Sequence, residues 1–502
     1  MGQNTDHQRV ASGAGAVLLG RLGALIEAVS VIAFAWLYGA ETFGLFAFLW
    51  AAIKVIAAFT DGAMTTALQR YIPQATAAEA DKIAGFALKA SFLFAFSISL
   101  IIVYFAKDLA AVVNANNQDS EQLVSIMRFY AFTLPFWTLV EVSTASIRAK
   151  RTFGPEIKVR IFYEQILRLI LGVSLAVAGM VSHGLFIAHF LSVFVAALFG
   201  LKLVKQHYSI SEVIRSPIFK KSNYEVLIYG MNLMPANLTK RMFSEVPVIL
   251  LNQFLPGASG AAAAGYFAVA RKIASILQVI RLTFEYVMAP LASEKRALGD
   301  QEALSSMFQY ATRLSITFAL PICALLITGH YDVLATMPKE FMIASTAIII
   351  LSLGRALEAM SGPSTSIIEM IGHRSLSTVN SAVGLTVMCV LSYLFIPKYG
   401  VIGAAIAATS GLNTTAWLAM LECMITYSVK PYSASLLRPV AVSILSLLPF
   451  LICIHYKSYL DPPFMIISAF TSLFLSMALI MRYGLSEVDA KSLGKWAQVF
   501  RR

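Results

Sequence analysis

Residues 13–73 read GAGAVLLGRLGALIEAVSVIAFAWLYGAETFGLFAFLWAAIKVIAAFTDGAMTTALQRYIP, two apolar runs joined across residues 39–44, with Arg21, Glu27, Lys54 and Asp61 set inside them. Each run exceeds the roughly 20 residues a helix needs to cross a bilayer, so the stretch is expected to be a membrane hairpin. Lipid tolerates spanning backbone only as helices or closed barrels, and runs of this length are far too long for barrel strands. Ionisable side chains are costly at that depth and normally face a bundle interior or a wet cavity, which makes these four candidates for function.

The same texture continues through all 502 residues, of which 58% are hydrophobic and 13% charged, about half the charged share of a soluble protein. Spans are expected at 14–38, 43–68, 84–106, 123–147, 161–181, 184–204, 226–252, 262–290, 304–329, 341–369, 375–396, 400–427, 436–455 and 463–481. The fold class is therefore an all-α integral membrane protein of about 14 transmembrane helices. A net charge of +12, read alone, would suit nucleic acid. Its distribution says otherwise: segments on one side of the expected spans hold 23 Lys and Arg, and the opposite loops hold four, Lys107, Lys339, Lys398 and Lys457. That asymmetry is a topology signal that places both termini in the cytoplasm, and a polybasic lipid contact over 202–221 is compatible with it. Cys323, Cys389, Cys423 and Cys453 lie singly in spans with no metal or redox spacing, and no cleavable signal peptide is evident. Asn237-Leu-Thr239 and Asn413-Thr-Thr415 match the glycosylation pattern but sit inside spans and are set aside.

The hairpin turn Gly39-Ala-Glu-Thr-Phe-Gly44-Leu-Phe-Ala47 is echoed at Gly257-Ala-Ser-Gly-Ala-Ala-Ala-Ala-Gly265-Tyr-Phe-Ala268. Arg21 precedes Gly44 by 23 residues and Arg241 precedes Gly265 by 24; Pro73 to Glu141 and Pro290 to Glu358 are both 68. Order and spacing that agree over this range indicate an internal repeat. Two six-helix bundles are expected, 13–204 and 226–427, in pseudo-two-fold arrangement around a central cavity. A cytoplasmic lead over 1–12, a basic linker over 205–225, two extra helices over 428–485 and a cytoplasmic tail over 486–502 complete the domain plan.

Twelve basic residues fall within spans: Arg21, Lys54, Lys89, Arg128, Arg168, Lys240, Arg241, Arg271, Lys272, Arg281, Arg313 and Arg355. Those near helix ends, such as Lys89, Arg128 and Arg168, can snorkel to the headgroups. Lys54, Arg241, Arg271 and Arg355 lie deeper, and with Arg21, Lys240 and Arg281 they are the candidate substrate-binding cations. Glu27, Asp61, Glu141, Glu245, Glu285 and Glu358 are the candidate coupling or cavity carboxylates. Helical spacing puts Lys54 with Asp61, Arg241 with Glu245, Arg281 with Glu285, and Arg355 with Glu358 on shared faces. Each pair could simply neutralise itself inside the bundle, yet so many self-cancelling charges are a costly way to build a core. Pro235 and Pro247 bracket Lys240, Arg241 and Glu245, so this helix is expected to be kinked or partly unwound at its charges. Cationic arginines suit phosphate, which the planar guanidinium binds through two oxygens. The carboxylates could couple transport to H+ or Na+; no cofactor, metal or catalytic residue is called for.

At this point the residues carry a resemblance. Gly20-Arg-Leu-Gly23, Tyr38-Gly-Ala-Glu-Thr-Phe-Gly-Leu-Phe-Ala47, Phe59-Thr-Asp-Gly-Ala63, Gln69-Arg-Tyr-Ile-Pro73 and Gly265-Tyr-Phe-Ala-Val-Ala-Arg271-Lys-Ile273 resemble polysaccharide-transport flippases of the multidrug/oligosaccharidyl-lipid/polysaccharide exporter superfamily. The resemblance implies a pair of six-helix bundles that moves a polyprenyl-diphosphate-linked oligosaccharide from the cytoplasmic to the periplasmic leaflet by alternating access. It also implies a cationic cavity, to which Arg21, Arg241, Arg271 and Arg355 are assigned here. The expected protein is thus a flippase of a bacterial inner membrane serving exopolysaccharide, capsule or O-antigen assembly, not an enzyme. Its partners would be the lipid-linked oligosaccharide, membrane lipids, and a polysaccharide polymerase with chain-length machinery. The rivals are a cation-coupled multidrug exporter of the same architecture, a peptidoglycan-precursor flippase, and a membrane polymerase or glycosyltransferase. The last is disfavoured because the loops are short and lack an acidic cluster.

Overall fold

The computed structural model describes residues 24–150, 158–218, 221–455, 462–486 and 489. Arg21, the lead over 1–12 and the tail beyond 489 lie outside the described residues. Within them the chain is almost entirely helical and no strand occurs, as a bilayer requires of a long apolar sequence. The first element, α1 (Ala24–Thr60), carries both arms of the opening hairpin and bends at Gly39, whose φ of 73° is open to glycine at little cost. A turn over 61–63 leads to α2 (Met64–Tyr71). Next comes α3 (Ala77–Tyr104), opened by a capping box between Thr76 and Glu79. The short α4 (Ala106–Ala111) follows, then α5 (Asn117–Tyr130), whose first turn is capped by the Asn116 side chain. The first half continues with α6 (Thr133–Ala149), α7 (Glu164–Val177), α8 (Val181–His207) and the short α9 (Ile210–Arg215). Then come α10 (Lys221–Phe254), α11 (Gly257–Ala297), α12 (Gln301–Ala335) and α13 (Ser345–Met360). The chain closes with α14 (Ser364–Ile371), α15 (Arg374–Tyr399), α16 (Val401–Ile425), α17 (Leu437–Leu445), α18 (Leu448–His455) and α19 (Pro462–Leu479).

Ten described helices are long and apolar enough to cross a membrane, eleven if the bent pair α5 and α6 counts as one span. The described residues do not establish the count of fourteen, for three physical reasons. The two arms of α1 on either side of Gly39 count together as one long helix, the 14 residues of α7 continue a π-helical turn over Lys158–Tyr163, and α10 is rich in charge and amides. Pro235 and Pro247 do not unwind α10, which is helical from end to end. Spanning helices tolerate proline inside a bundle; the Thr239 hydroxyl donates to the Pro235 carbonyl at 2.7 Å, one turn back on the same helix.

By packing, the chain falls into two compact units, the described parts of Gly23–Ala268 and of Val269–Arg502. The division comes later than the expected linker at 205–225, because α10 packs on α1 and α2. Its far end is clasped there: Asn114 N and Nδ2 donate to Asn252 Oδ1 (3.1 Å) and O (2.7 Å), Asn252 Nδ2 returns a bond to Asn114 O (2.7 Å), and Gly257 N donates to Asn114 Oδ1 (2.9 Å). The echoed glycines have a physical cause in the same unit. A Cβ on Gly44 would fall 1.8 Å from the Ala261 carbonyl oxygen, and one on Gly265 would fall 3.1 Å from Gly44 Cα, so this crossing admits no side chain.

The repeat is visible in which helices pack within each unit. In the first, α3 packs on α6, α6 on α8 and α7 on α8; in the second, the corresponding pairs are α12 on α13, α13 on α16 and α15 on α16. Glu141 on α6 and Glu358 on α13 therefore occupy matching places, and both are buried. The appended helices α17, α18 and α19 pack on α12, while Phe464, Ile467, Phe470 and Phe474 of α19 stay exposed at helical spacing, a stripe suited to lipid. Arg313 of α12 is occupied by Asp489 (2.5 Å) and Ser435 (2.7 Å).

Candidate functional site

Helix α1 ends at Thr60, and the chain turns sharply through Gly62 (φ 56°) and Ala63 (φ 55°), a left-handed pair whose second member carries a side chain. Asp61 stands at this corner, 6% exposed, and its carboxylate accepts from Thr65 N (3.3 Å) and Thr65 Oγ1 (2.9 Å). On α6, Glu141 is 8% exposed and lies two turns before Arg148 on the same face. On α10, Asn237, Lys240, Arg241 and Ser244 follow the i, i+3, i+4, i+7 pattern that aligns side chains along one stripe. These three faces meet around a cavity of about 310 Å³ lined by Ala58, Asp61, Thr65, Glu141, Arg148, Asn237, Lys240, Arg241 and Ser244. Arg241 Nη2 donates to Glu141 Oε1 at 2.9 Å, and Asn237 Nδ2 donates to Thr66 Oγ1 at 3.1 Å. Three cations and two carboxylates line the space, so its balance is positive by one charge.

Two expected pairings are corrected. Lys54 does not pair with Asp61: it reaches Glu245 on α10 at 2.6 Å and lies 5.5 Å over the Trp50 ring. Seven residues past Lys54, Asp61 is already beyond the end of α1, and the turn aims its carboxylate at Thr65 instead. Arg241 does not pair with Glu245 either, because α10 lies between two charged neighbours and sends Arg241 to α6 and Glu245 to α1. Each ion pair therefore crosslinks helices rather than closing on its own face.

In the second unit the spacing does hold. Arg281 pairs with Glu285 at 2.7 Å, Arg355 with Glu358 at 2.6 Å, and Arg281 also bonds Glu358, tying α11 to α13. Thr365 accepts from Arg281 Nη2 (2.8 Å) and donates to Glu285 (2.6 Å). Two arginines face two glutamates, and the cluster is neutral. Arg271 and Glu27 are half-buried on α11 and α1.

The sequence reading missed Arg148, which it placed in the loop after the fourth span. It also missed a buried group in which His189 Nδ1 bonds the Tyr130 hydroxyl at 2.6 Å and Arg168 pairs with Glu164 at 3.3 Å, with His189 Nε2 3.8 Å from Glu164. The four-residue spacing of Glu164 and Arg168 was the available signal.

The family described as polysaccharide biosynthesis protein matches residues 34–338, more than half the chain. The chain belongs to that family. The match takes in every residue that lines the cavity and stops short of Arg355 and Glu358. Among solved structures, the lipid II flippase MurJ in an inward closed conformation superposes with a TM-score of 0.73 at 13% identity, over 93% of this chain and 98% of that one. An inward-facing multidrug resistance MATE family transporter of the MOP superfamily gives 0.67 at 15% identity, over 81% and 94%. A MOP superfamily transporter from Pyrococcus furiosus, described with a binding pocket of reverse polarity, gives 0.59 at 14% identity, over 85% and 96%. At such identities the common property is the fold. An uncharacterized membrane protein of Methanocaldococcus jannaschii is 28% identical over 185 residues, and the match spans 36% of the length of each chain. This member of the polysaccharide biosynthesis family is a multi-pass membrane protein with the MurJ and MATE fold.

Proposed function

We propose that this protein is a flippase that carries a polyprenyl-diphosphate-linked oligosaccharide from the cytoplasmic to the periplasmic leaflet of a bacterial inner membrane, by alternating access, for exopolysaccharide, capsule or O-antigen assembly. The observation that carries the reading is the cavity in which Arg148, Lys240 and Arg241 stand with Asn237, Ser244 and Thr65, in a chain of the polysaccharide biosynthesis family. Guanidinium and ammonium groups bind phosphate through charge-assisted hydrogen bonds, and the amide and hydroxyls suit sugar oxygens. At about 310 Å³ the cavity sits at the low end of small-molecule sites. It therefore takes the diphosphate and the sugar next to it, while the lipid tail stays in the bilayer.

Arg241 is held by Glu141 at 2.9 Å, so a phosphate that binds it competes with a carboxylate. Glu141 and Asp61 are then the groups through which H+ or Na+ would be coupled to the cycle. A polysaccharide polymerase and chain-length machinery would receive the product. The same fold in the MATE transporter and the buried Asp61 favour a second reading, a cation-coupled multidrug exporter. The positive balance of the cavity ranks it second, because cationic drugs call for a surplus of carboxylate. A drug-resistance assay separates the two.

A clean deletion, with no paralogue present, is expected to strand the lipid-linked sugar on the cytoplasmic leaflet and abolish the surface polysaccharide. Normal surface polysaccharide in that strain contradicts the proposal.

A further inference from the structure

The last turns of α8 and the segment after it hold five basic and two acidic residues over 202–225 and take no part in the cavity. The inner face of this segment is fixed to the first unit. Val213 of α9 is buried, and α9 packs against α3 so closely that a Cβ on Gly85 would fall 2.4 Å from the Val213 carbonyl oxygen. Lys89 donates to the carbonyls of Ile214 (3.0 Å) and Ser216. Lys150 donates to the carbonyl of His207 and lies 3.7 Å over the Tyr208 ring, while Lys82 pairs with Glu212 at 3.4 Å. Three lysines of the bundle are thus occupied in holding the segment down.

The outer face has a different character. Ile210 and Ile214, four residues apart on one side of α9, are 41% and 68% exposed, and Lys202, Lys205 and Arg215 are exposed near them in sequence. Aliphatic side chains left open beside basic ones are the pattern of a bilayer boundary, where apolar groups sink below the phosphates and charged heads reach up to them. The chain places α9 at that boundary. Helix α8 is apolar enough to cross the membrane and ends at His207, and α9 begins after Tyr208 and Ser209. The Lys and Arg distribution assigns this side to the cytoplasm, whose leaflet is negatively charged.

We propose that Lys202, Lys205, Arg215, Ile210 and Ile214 form a binding surface for anionic phospholipid headgroups of the cytoplasmic leaflet. The basic groups hold the lipid phosphates, the two isoleucines enter the acyl boundary, and the lysine clamps beneath keep the surface rigid. The assignment does not depend on what the cavity carries. Charge complementarity selects the occupant, since neither a neutral headgroup nor free solvent answers both halves of the pattern.

The test is native mass spectrometry of the full-length protein with added phosphatidylglycerol or phosphatidylcholine at equal concentration. Wild type is expected to retain phosphatidylglycerol preferentially, and Lys202→Gln/Lys205→Gln/Arg215→Gln to lose about 100-fold of that preference, at several-fold per basic residue. Ile210→Ser/Ile214→Ser is expected to weaken retention of both lipids with the preference kept, and Lys295→Gln/Arg296→Gln to change nothing. An unchanged preference in the triple variant, at an unchanged melting temperature, overturns the proposal. So does displacement of the lipid by soluble polyglutamate at equal charge concentration, which would mark the surface as a site for an acidic protein.

Discussion

Arg241→Ala combined with Glu141→Gln is expected to give a stable protein that no longer moves its cargo, whereas Arg241→Ala alone is expected to lose both folding stability and transport. The distinction follows from the ion pair between them. Glu141 is buried and faces the Arg241 guanidinium at 2.9 Å. Removing the arginine takes one partner from a buried carboxylate, at a cost of up to about 3–5 kcal/mol, and neutralising the glutamate relieves most of it. Transport does not recover with stability if Arg241 holds phosphate. Charge-assisted hydrogen bonds are worth about 1.5–3 kcal/mol each, so losing a bidentate pair lowers transport by about 100-fold or more. Melting temperature in detergent and flipping in proteoliposomes read the two effects separately. A double variant with wild-type transport removes Arg241 from the site.

Glu358→Ala is expected to be among the most destabilising single changes in the second unit. Its carboxylate takes both Arg355 and Arg281, and its loss leaves two cations in a cluster that Glu285 alone cannot balance. The expected penalty is about 3–5 kcal/mol or more, seen as a marked fall in melting temperature. Replacing Arg281 and Glu358 together by Met and Leu is expected to restore most of the loss, because apolar packing can substitute for a buried pair. If Glu358→Ala melts like wild type, the cluster is not what ties α11 to α13.

Much of the fold was legible because it depends on local chemistry. The bend at Gly39, the echo at Gly44 and Gly265, and the matching places of Glu141 and Glu358 all follow from spacing along the chain. So do the pairs Arg281 with Glu285 and Arg355 with Glu358, since neighbours three or four apart share a helix face. The misses have one cause: spacing gives the face and not the neighbour. Lys54 and Glu245 lie far apart in sequence, as do Arg241 and Glu141, and no local pattern announces that α10 stands between α1 and α6. Arg148 was missed because it sits near the end of a span, where a headgroup role is the default. His189, Tyr130 and Glu164 come from three helices, and their meeting is a property of the packing. The prolines of α10 leave it wound, because breakers in soluble helices are tolerated in spanning ones.

The central claim is that the cavity of the first unit carries a phosphate-bearing lipid-linked saccharide, and transbilayer movement in proteoliposomes tests it most directly. A polyprenyl-diphosphate oligosaccharide would be placed in the inner leaflet and its arrival outside read by a membrane-impermeant glycosidase. The wild-type protein is expected to expose it well above protein-free vesicles, and Arg241→Ala/Glu141→Gln to match protein-free vesicles. Movement no faster than in protein-free vesicles, with accumulation of a cationic drug in the same preparation, would contradict the account.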